Sequence, residues 1–144
     1  MREIVPNALS VRHAAELAAL VGYINFAHPL VSGLVDRVLD ITSVSTADPS
    51  YARIEARSEG HPWHVDTGSK GHMGWCCLSA GVLLTPPESF TGGGLYFRDD
   101  PDTAVYHYLD LVLYDDDPGN EHCVTRSRGD RRALIMFFQG AENG

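Results

Sequence analysis

Residues 122–138 read HCVTRSRGDRRALIMFF. A histidine opens a short strand (122–127), a turn holding Gly129 reverses the chain, and an arginine opens a second strand (132–138) that is apolar throughout. Arg131 and Arg132 are neighbours, so they point to opposite faces of that strand and only one can turn inward. Alternation does not choose between them, because Ala133, Ile135 and Phe137 are apolar and so are Leu134, Met136 and Phe138. An arginine one strand away from a histidine can grip a carboxylate through its two-pronged guanidinium, beside whatever the histidine holds.

Upstream, short strands separated by Gly, Pro and Asp are predicted at 51–58, 63–66, 75–85, 94–99, 104–109 and 111–115. The stretches PPESFTGGG, DDPD, DDDPGN and RGD read as turns between strands. This pattern predicts a sandwich, barrel or jelly roll rather than a parallel sheet. The first 40 or so residues differ. Ser10 is placed to cap a helix over 11–24, with Val11, Ala15, Leu17, Leu20, Val21 and Ile24 on its apolar face. Pro29 starts a second helix to Ile41, with Leu30, Leu34, Val35, Val38 and Leu39 facing the core. The expected fold is mainly β with N-terminal helices: one domain over 1–144, helical support over about 1–45 and a β core over about 51–140.

A chain of 144 residues fits one domain with a real core, and its 44% hydrophobic and 21% charged residues are ordinary globular values. No apolar run reaches membrane-span length and the start has no signal core, so no membrane association is expected. Three cysteines, two of them adjacent at 76 and 77, make a poor disulfide framework and suit a reducing, cytoplasmic setting. A net charge of -8, with acids concentrated in 99–102 and 114–121, makes nucleic acid an unfavourable partner. Arg126, Arg128, Arg131 and Arg132 form a local exception.

His64-Val65-Asp66 is an HxD. On a strand its imidazole and carboxylate share a face, which suits a divalent metal, although the pair alone is unspecific. Of the other histidines, His13 falls on the first helix, His28 in a turn, His61 and His72 in loops, and His107 on a strand. His122 alone opens a strand followed by the arginine pattern. Two histidines and one carboxylate on one face of a metal, with other positions open, form the facial triad of non-haem Fe(II) oxygenases.

The stretch from Tyr51 to Phe138 resembles the Fe(II)/2-oxoglutarate dioxygenases, in particular their prolyl-hydroxylase-like branch. The resemblance is carried, in order, by H64-V-D66, by TGGGLYF at 91–97, by H122-x-V124 and by G129-x-R131. It implies a double-stranded β-helix (jelly roll) core with the two helices packed on it. It implies that His64, Asp66 and His122 bind Fe(II), that Arg131 pairs with the distal carboxylate of 2-oxoglutarate, and that Val124 packs along its methylenes. It favours Arg131 over Arg132, which is then left at the surface. The expected activity is hydroxylation of an amino acid, peptide or small molecule by dioxygen, with release of succinate and CO2. Asp66 argues against halogenation, because the related halogenases replace that carboxylate with a small residue.

One feature of the branch is missing, a tyrosine on the strand after HxD that touches the co-substrate. Leu83 stands there, with Ser79 and Thr85 as polar alternatives and Tyr51 or Arg53 as candidates from the preceding strand. Gly92–Gly94 suit a tight hairpin near the pocket mouth. Trp63, Met73 and Trp75 are expected in the substrate pocket or the core, Cys123 in the core, and Lys70 and His72 in a solvated loop or lid. Asn120 is placed to orient the histidine region. The short chain leaves room for a peptide substrate or for a homodimer that completes the pocket. The alternative is a cupin-like metal-binding jelly roll that does not use 2-oxoglutarate and has no need of the arginine.

Overall fold

The computed structural model describes residues 1–42, 48–66 and 73–140. Its strands are β1 (Arg2–Val5), β2 (Gly22–Tyr23), β3 (Asp48–Glu55), β4 (His61–His64), β5 (Cys76–Leu83), β6 (Phe90–Gly92), β7 (Leu95–Phe97), β8 (Leu111–Asp115), β9 (His122–Val124), β10 (Ser127–Gly129) and β11 (Ala133–Gln139). The helices are α1 (Val11–Ala18) and α2 (Pro29–Ile41). The larger sheet runs β1-β8-β5-β11-β3-β2 and the smaller runs β4-β9-β7, every pairing antiparallel. The pair β6–β10 continues the smaller sheet, joined to it by bonds from Gly93 N–H to the Arg126 carbonyl and from Thr125 N–H to the Gly94 carbonyl. The two sheets face each other: Phe97 of β7 meets Tyr114 of β8 edge-on at 5.3 Å between ring centroids.

The larger sheet is covered on both faces. Ala52 and Ile54 of β3, Leu78, Ala80 and Val82 of β5, Leu111 and Leu113 of β8, and Leu134, Met136 and Phe138 of β11 pack with both helices into one apolar core. From α1 that core receives Ala14, Leu17 and Ala18, and from α2 it receives Val31, Leu34, Val35 and Val38. The alternate residues of the same strands face the smaller sheet. There a second cluster forms around Leu95, Phe97 and Val112, flanked by Val105, Tyr106, Tyr114 and Val124.

α1 begins as expected, with the Ser10 hydroxyl accepting from His13 N–H at 3.1 Å. It ends at Ala18 rather than near 24, because the chain turns at Gly22, whose φ of +118° no helix accommodates. Leu20 and Val21 are consequently exposed, and Tyr23 joins the sheet edge opposite Arg53. α2 matches the expected span, with Pro29 in its first turn and the His28 ring accepting from Leu30 N–H. The N-terminal segment is thus not purely helical, since β1 and β2 add both edge strands of the larger sheet.

Other expectations are corrected. Residues 104–109 form no strand; they make one bridge, Tyr108 to Leu83, and Val105 N–H bonds the Leu95 carbonyl. The stretch read wholly as a turn, 86–94, contains a 3-10 turn at Pro87–Ser89 and then β6. Residues 122–127 divide into β9 and the start of β10, and β4 begins at His61 and stops at His64, so Asp66 lies just past its end.

Candidate metal centre and adjoining cavity

His64 and His122 are cross-strand partners in the β4–β9 register, which puts both imidazoles on one face with ring centroids 4.3 Å apart. Asp66 turns back toward them. Its Oδ1 lies 3.0 Å from His64 Nε2 and 3.3 Å from His122 Nε2. One ligand atom from each residue falls within 4.8 Å of the other two. His64 Nδ1 stands 2.6 Å from the Pro62 carbonyl and His122 Nδ1 2.8 Å from the Asn120 carbonyl. A carbonyl only accepts, so each Nδ1 carries the proton and each Nε2 is turned to the centre.

The carboxylate is divided in the same way. Its Oδ2 accepts from the Ser79 hydroxyl at 2.6 Å and the Tyr114 hydroxyl at 3.1 Å, which leaves Oδ1 for the centre. Burial opposes ionisation of Asp66, but hydrogen bonds from His122, His64 and Ser79 outweigh it and hold the carboxyl far below its ordinary range. The hydrogen bond that the His64 ring donates to Asp66 is the largest influence on His64 and raises its pKa against the effect of burial. Two imidazole nitrogens and a carboxylate oxygen converging in this way fit a divalent metal of the iron type. Asn120 is buried and holds the approach to His122: its amide nitrogen donates to Asp115 and its side-chain oxygen accepts from Arg2.

The triad forms one end of a cavity between the sheets, lined also by Arg53, Glu55, His61, Leu95, Tyr106, Tyr114, Val124, Arg131, Ile135 and Phe137. Arg131 is 4% exposed and donates from Nε to the Gly93 carbonyl at 2.8 Å. Its terminal guanidinium nitrogens have no hydrogen-bond partner among the described residues. Gly93 has φ +70°, and a Cβ there would overlap the Arg131 side chain, so the glycine run serves both the hairpin and the cavity. Arg132 takes the other face, where its guanidinium bonds the Ala18 carbonyl at 2.7 Å and Asp130 at 2.8 Å. It anchors the C-terminus of α1 rather than standing free at the surface.

Val124 lines the cavity, whereas Leu83 and Tyr51 do not. Leu83 is buried at the end of β5, and Tyr51 stacks on Phe137 at 5.6 Å and accepts from Arg53. Besides Tyr114, Tyr106 enters the cavity, from the segment expected to be a strand. Its ring lies 5.7 Å from the Arg131 guanidinium, and its hydroxyl occupies the space a Cβ at Gly81 would need. Burial pushes the Tyr106 hydroxyl pKa upward, keeping it a proton donor. Opposite, Glu55 accepts from Arg53 at 2.5 Å and pairs with His61 at 3.1 Å. Burial opposes its ionisation, yet His61, Arg53 and Arg131 together lower its pKa.

The tryptophans lie outside this cavity and the buried core: Trp63 is half-buried beneath the Arg98 guanidinium and Trp75 is 43% exposed. Cys123 is half-buried, and Lys70 and His72 lie outside the described residues. Three contributors were not assigned these roles from sequence: Tyr114, His61 and Tyr106. Tyr114 stands at an inward position of β8, a tyrosine among apolar neighbours, and that was the available signal.

No family model matches the chain. It is 37% identical over 102 residues to the PKHD-type hydroxylase YbiX of Escherichia coli O1:K1, an alignment covering 63% of this chain and 42% of that protein. The YbiX of Shigella dysenteriae serotype 1 matches to the same extent. The chain thus spans about two fifths of the length of these curated relatives. Among solved structures it is similar to a viral collagen prolyl hydroxylase of Paramecium bursaria Chlorella virus-1 in its 2-oxoglutarate complex. That likeness has a TM-score of 0.74 at 10% identity, over 98% of this chain and 96% of that one. A Pseudomonas putida prolyl-4-hydroxylase matches with TM-score 0.74 at 16% identity, over 99% and 88% of the two chains. A Trichoplax adhaerens prolyl hydroxylase, solved with a hypoxia-inducible-factor peptide fragment, matches with TM-score 0.71 at 13% identity, over 96% and 83%. The fold is therefore the jelly roll of the Fe(II)/2-oxoglutarate oxygenases.

Proposed function

We propose that the chain is the catalytic core of an Fe(II)- and 2-oxoglutarate-dependent hydroxylase that acts on a peptide side chain and releases succinate and CO2. One observation carries the reading: the converging atoms of His64, Asp66 and His122 share a cavity with the unpaired end of the buried Arg131. A metal-binding jelly roll with no anionic co-substrate has no use for a guanidinium held there. The hydroxylase names of the sequence relatives and the peptide bound to one fold neighbour support the same reading.

His64, Asp66 and His122 would hold the metal, and bound iron would couple the oxidation of 2-oxoglutarate by dioxygen to hydroxylation of the substrate. Ser79 and Tyr114 hold Asp66 by its outer oxygen, so the inner oxygen is presented in a fixed direction. The Pro62 and Asn120 carbonyls do the same for the two imidazoles. Arg131 receives the distal carboxylate, and Tyr106, whose ring lies 5.7 Å from its guanidinium, supplies the hydroxyl donor that the strand tyrosine gives elsewhere in the branch. Val124 and Leu95 give the co-substrate's methylenes an apolar wall. Three free thiols suit a reducing, cytoplasmic setting.

The direct test is succinate formation by Fe(II)-loaded protein given 2-oxoglutarate without a second substrate. Slow turnover is expected, lost in His122→Ala and weakened in Arg131→Ala. A folded, iron-loaded protein that neither binds 2-oxoglutarate nor forms succinate would leave the cupin-like reading in its place.

A further inference from the structure

Two arginines have no part in the site described above. Arg126 and Arg128 flank the buried Ser127 at the start of β10, both exposed, and neither guanidinium has a hydrogen-bond or ion-pair partner among the described residues. They line a groove of about 420 Å³ with Ser58, Glu59 and Thr91. Ser58 and Glu59 also line a second groove, of about 340 Å³, whose far wall is Arg53 and Glu55. Those same two residues line the cavity of the metal centre. Shared walls thus set three concavities in a row from the triad, Arg53 and Glu55 lying between the first two and Ser58 and Glu59 between the last two, with Arg126 and Arg128 at the outer end. The Ser127 N–H to Ser58 carbonyl bond at 3.0 Å ties the outer end to the chain leading from β3.

The charges along this row of concavities are graded. Arg53 is paired with Glu55, and Arg57 with Glu59, so the inner and middle portions are internally neutralised. Apart from Arg131, which the hydroxylase reading gives to the co-substrate, the unpaired guanidiniums among the described residues lining this row are those of the outer end, on a chain whose net charge is -8. Unpaired guanidiniums in such a setting select carboxylates brought by a partner. Resting on the hydroxylase reading, we propose that the substrate is an acidic peptide segment. Its target residue enters the cavity, while glutamate or aspartate side chains to one side of it bind Arg126 and Arg128. Nucleic acid fits this surface less well, because a long phosphate backbone would also meet the chain's overall negative field.

The test uses the full chain and a fluorescein-labelled peptide with one central proline flanked by glutamates, read by fluorescence anisotropy at low salt. A second peptide carries glutamine at each glutamate position. The glutamate peptide should bind about tenfold more tightly than the glutamine peptide, and raised salt should erase the difference. Arg126→Glu/Arg128→Glu should lose that advantage, Arg126→Gln/Arg128→Gln should lose part of it, and Arg12→Glu, on the helical side, should keep it. Binding of 2-oxoglutarate to the Fe(II) protein, measured on the same variants, should not change. Equal affinity for both peptides, or an undiminished preference in both double variants, would overturn the proposal. Binding of an oligothymidylate of equal charge as tight as that of the glutamate peptide would overturn its choice of a peptide. Loss of 2-oxoglutarate binding in the unaltered chain, with the peptide preference intact, would remove the hydroxylase reading and leave the groove as an acidic-peptide site.

Discussion

The two faces of the larger sheet are built from the same strands and serve opposite ends. On β3, Ala52 and Ile54 turn to the helices while Arg53 and Glu55 turn to the cavity. On β5 the helical face takes Leu78, Ala80 and Val82, and the inner face takes Ser79 and Gly81. On β8 Leu113 is core, and its neighbour Tyr114 holds the metal-centre carboxylate. A one-residue offset separates side chains that fill space from side chains that carry charge or a hydroxyl. The helices let one face be wholly apolar, and that face supports the buried polar groups on the other.

Four substitutions break or sharpen this contrast. Asp66→Ala, at the inner face, should abolish metal binding and turnover, read as iron stoichiometry and succinate yield. Without the metal-centre carboxylate, His64 and His122 have no charged partner and the site no third ligand. Leu134→Ala, on the helical face, should cost about 2–5 kcal/mol in denaturant unfolding, because its side chain is fully buried. Metal stoichiometry of the folded fraction should be unaltered. Arg131→Ala should weaken 2-oxoglutarate binding by about 2 kcal/mol or more, while Arg132→Ala should leave that binding unchanged. Arg132→Ala should instead cost about 1 kcal/mol of stability through loss of the bond to Ala18 at the end of α1.

The smallest effect concerns pH. Glu55 has a folded pKa below its ordinary value, so its ion pairs stabilise the protein above the ordinary carboxylate range. That contribution is lost as pH falls through the lowered folded value. Thermal unfolding of Glu55→Gln should therefore fall below that of the unaltered chain near neutral pH and converge with it in acid.

The sequence patterns were most legible where strands carried one consistent signal. LVLYD at 111–115 and the helix from Pro29 to Ile41 appear at the expected bounds. The ordered set HxD, HxV and GxR marked residues that the fold draws into one cavity. What was not legible depends on register between distant strands. The choice between Arg131 and Arg132 was hidden because β11 is buried on both faces, under the helices and between the sheets, so both its parities are apolar. Tyr106 was hidden for another reason. Residues 104–109 have strand-like composition, but they cross the sheet edge irregularly and send a tyrosine over Gly81, a slot opened by a residue with no side chain. The end of α1 was misplaced because the apolar spacing continues past Ala18, while a single glycine conformation at 22 turns the chain away.

The central claim, that one cavity joins a metal triad to a carboxylate-binding arginine, is tested most directly by equilibrium dialysis of labelled 2-oxoglutarate under anaerobic conditions. The account predicts binding of one equivalent that requires Fe(II), disappears in His122→Ala and weakens in Arg131→Ala but not in Arg132→Ala. Binding that is indifferent to Fe(II), or to Arg131, would contradict it.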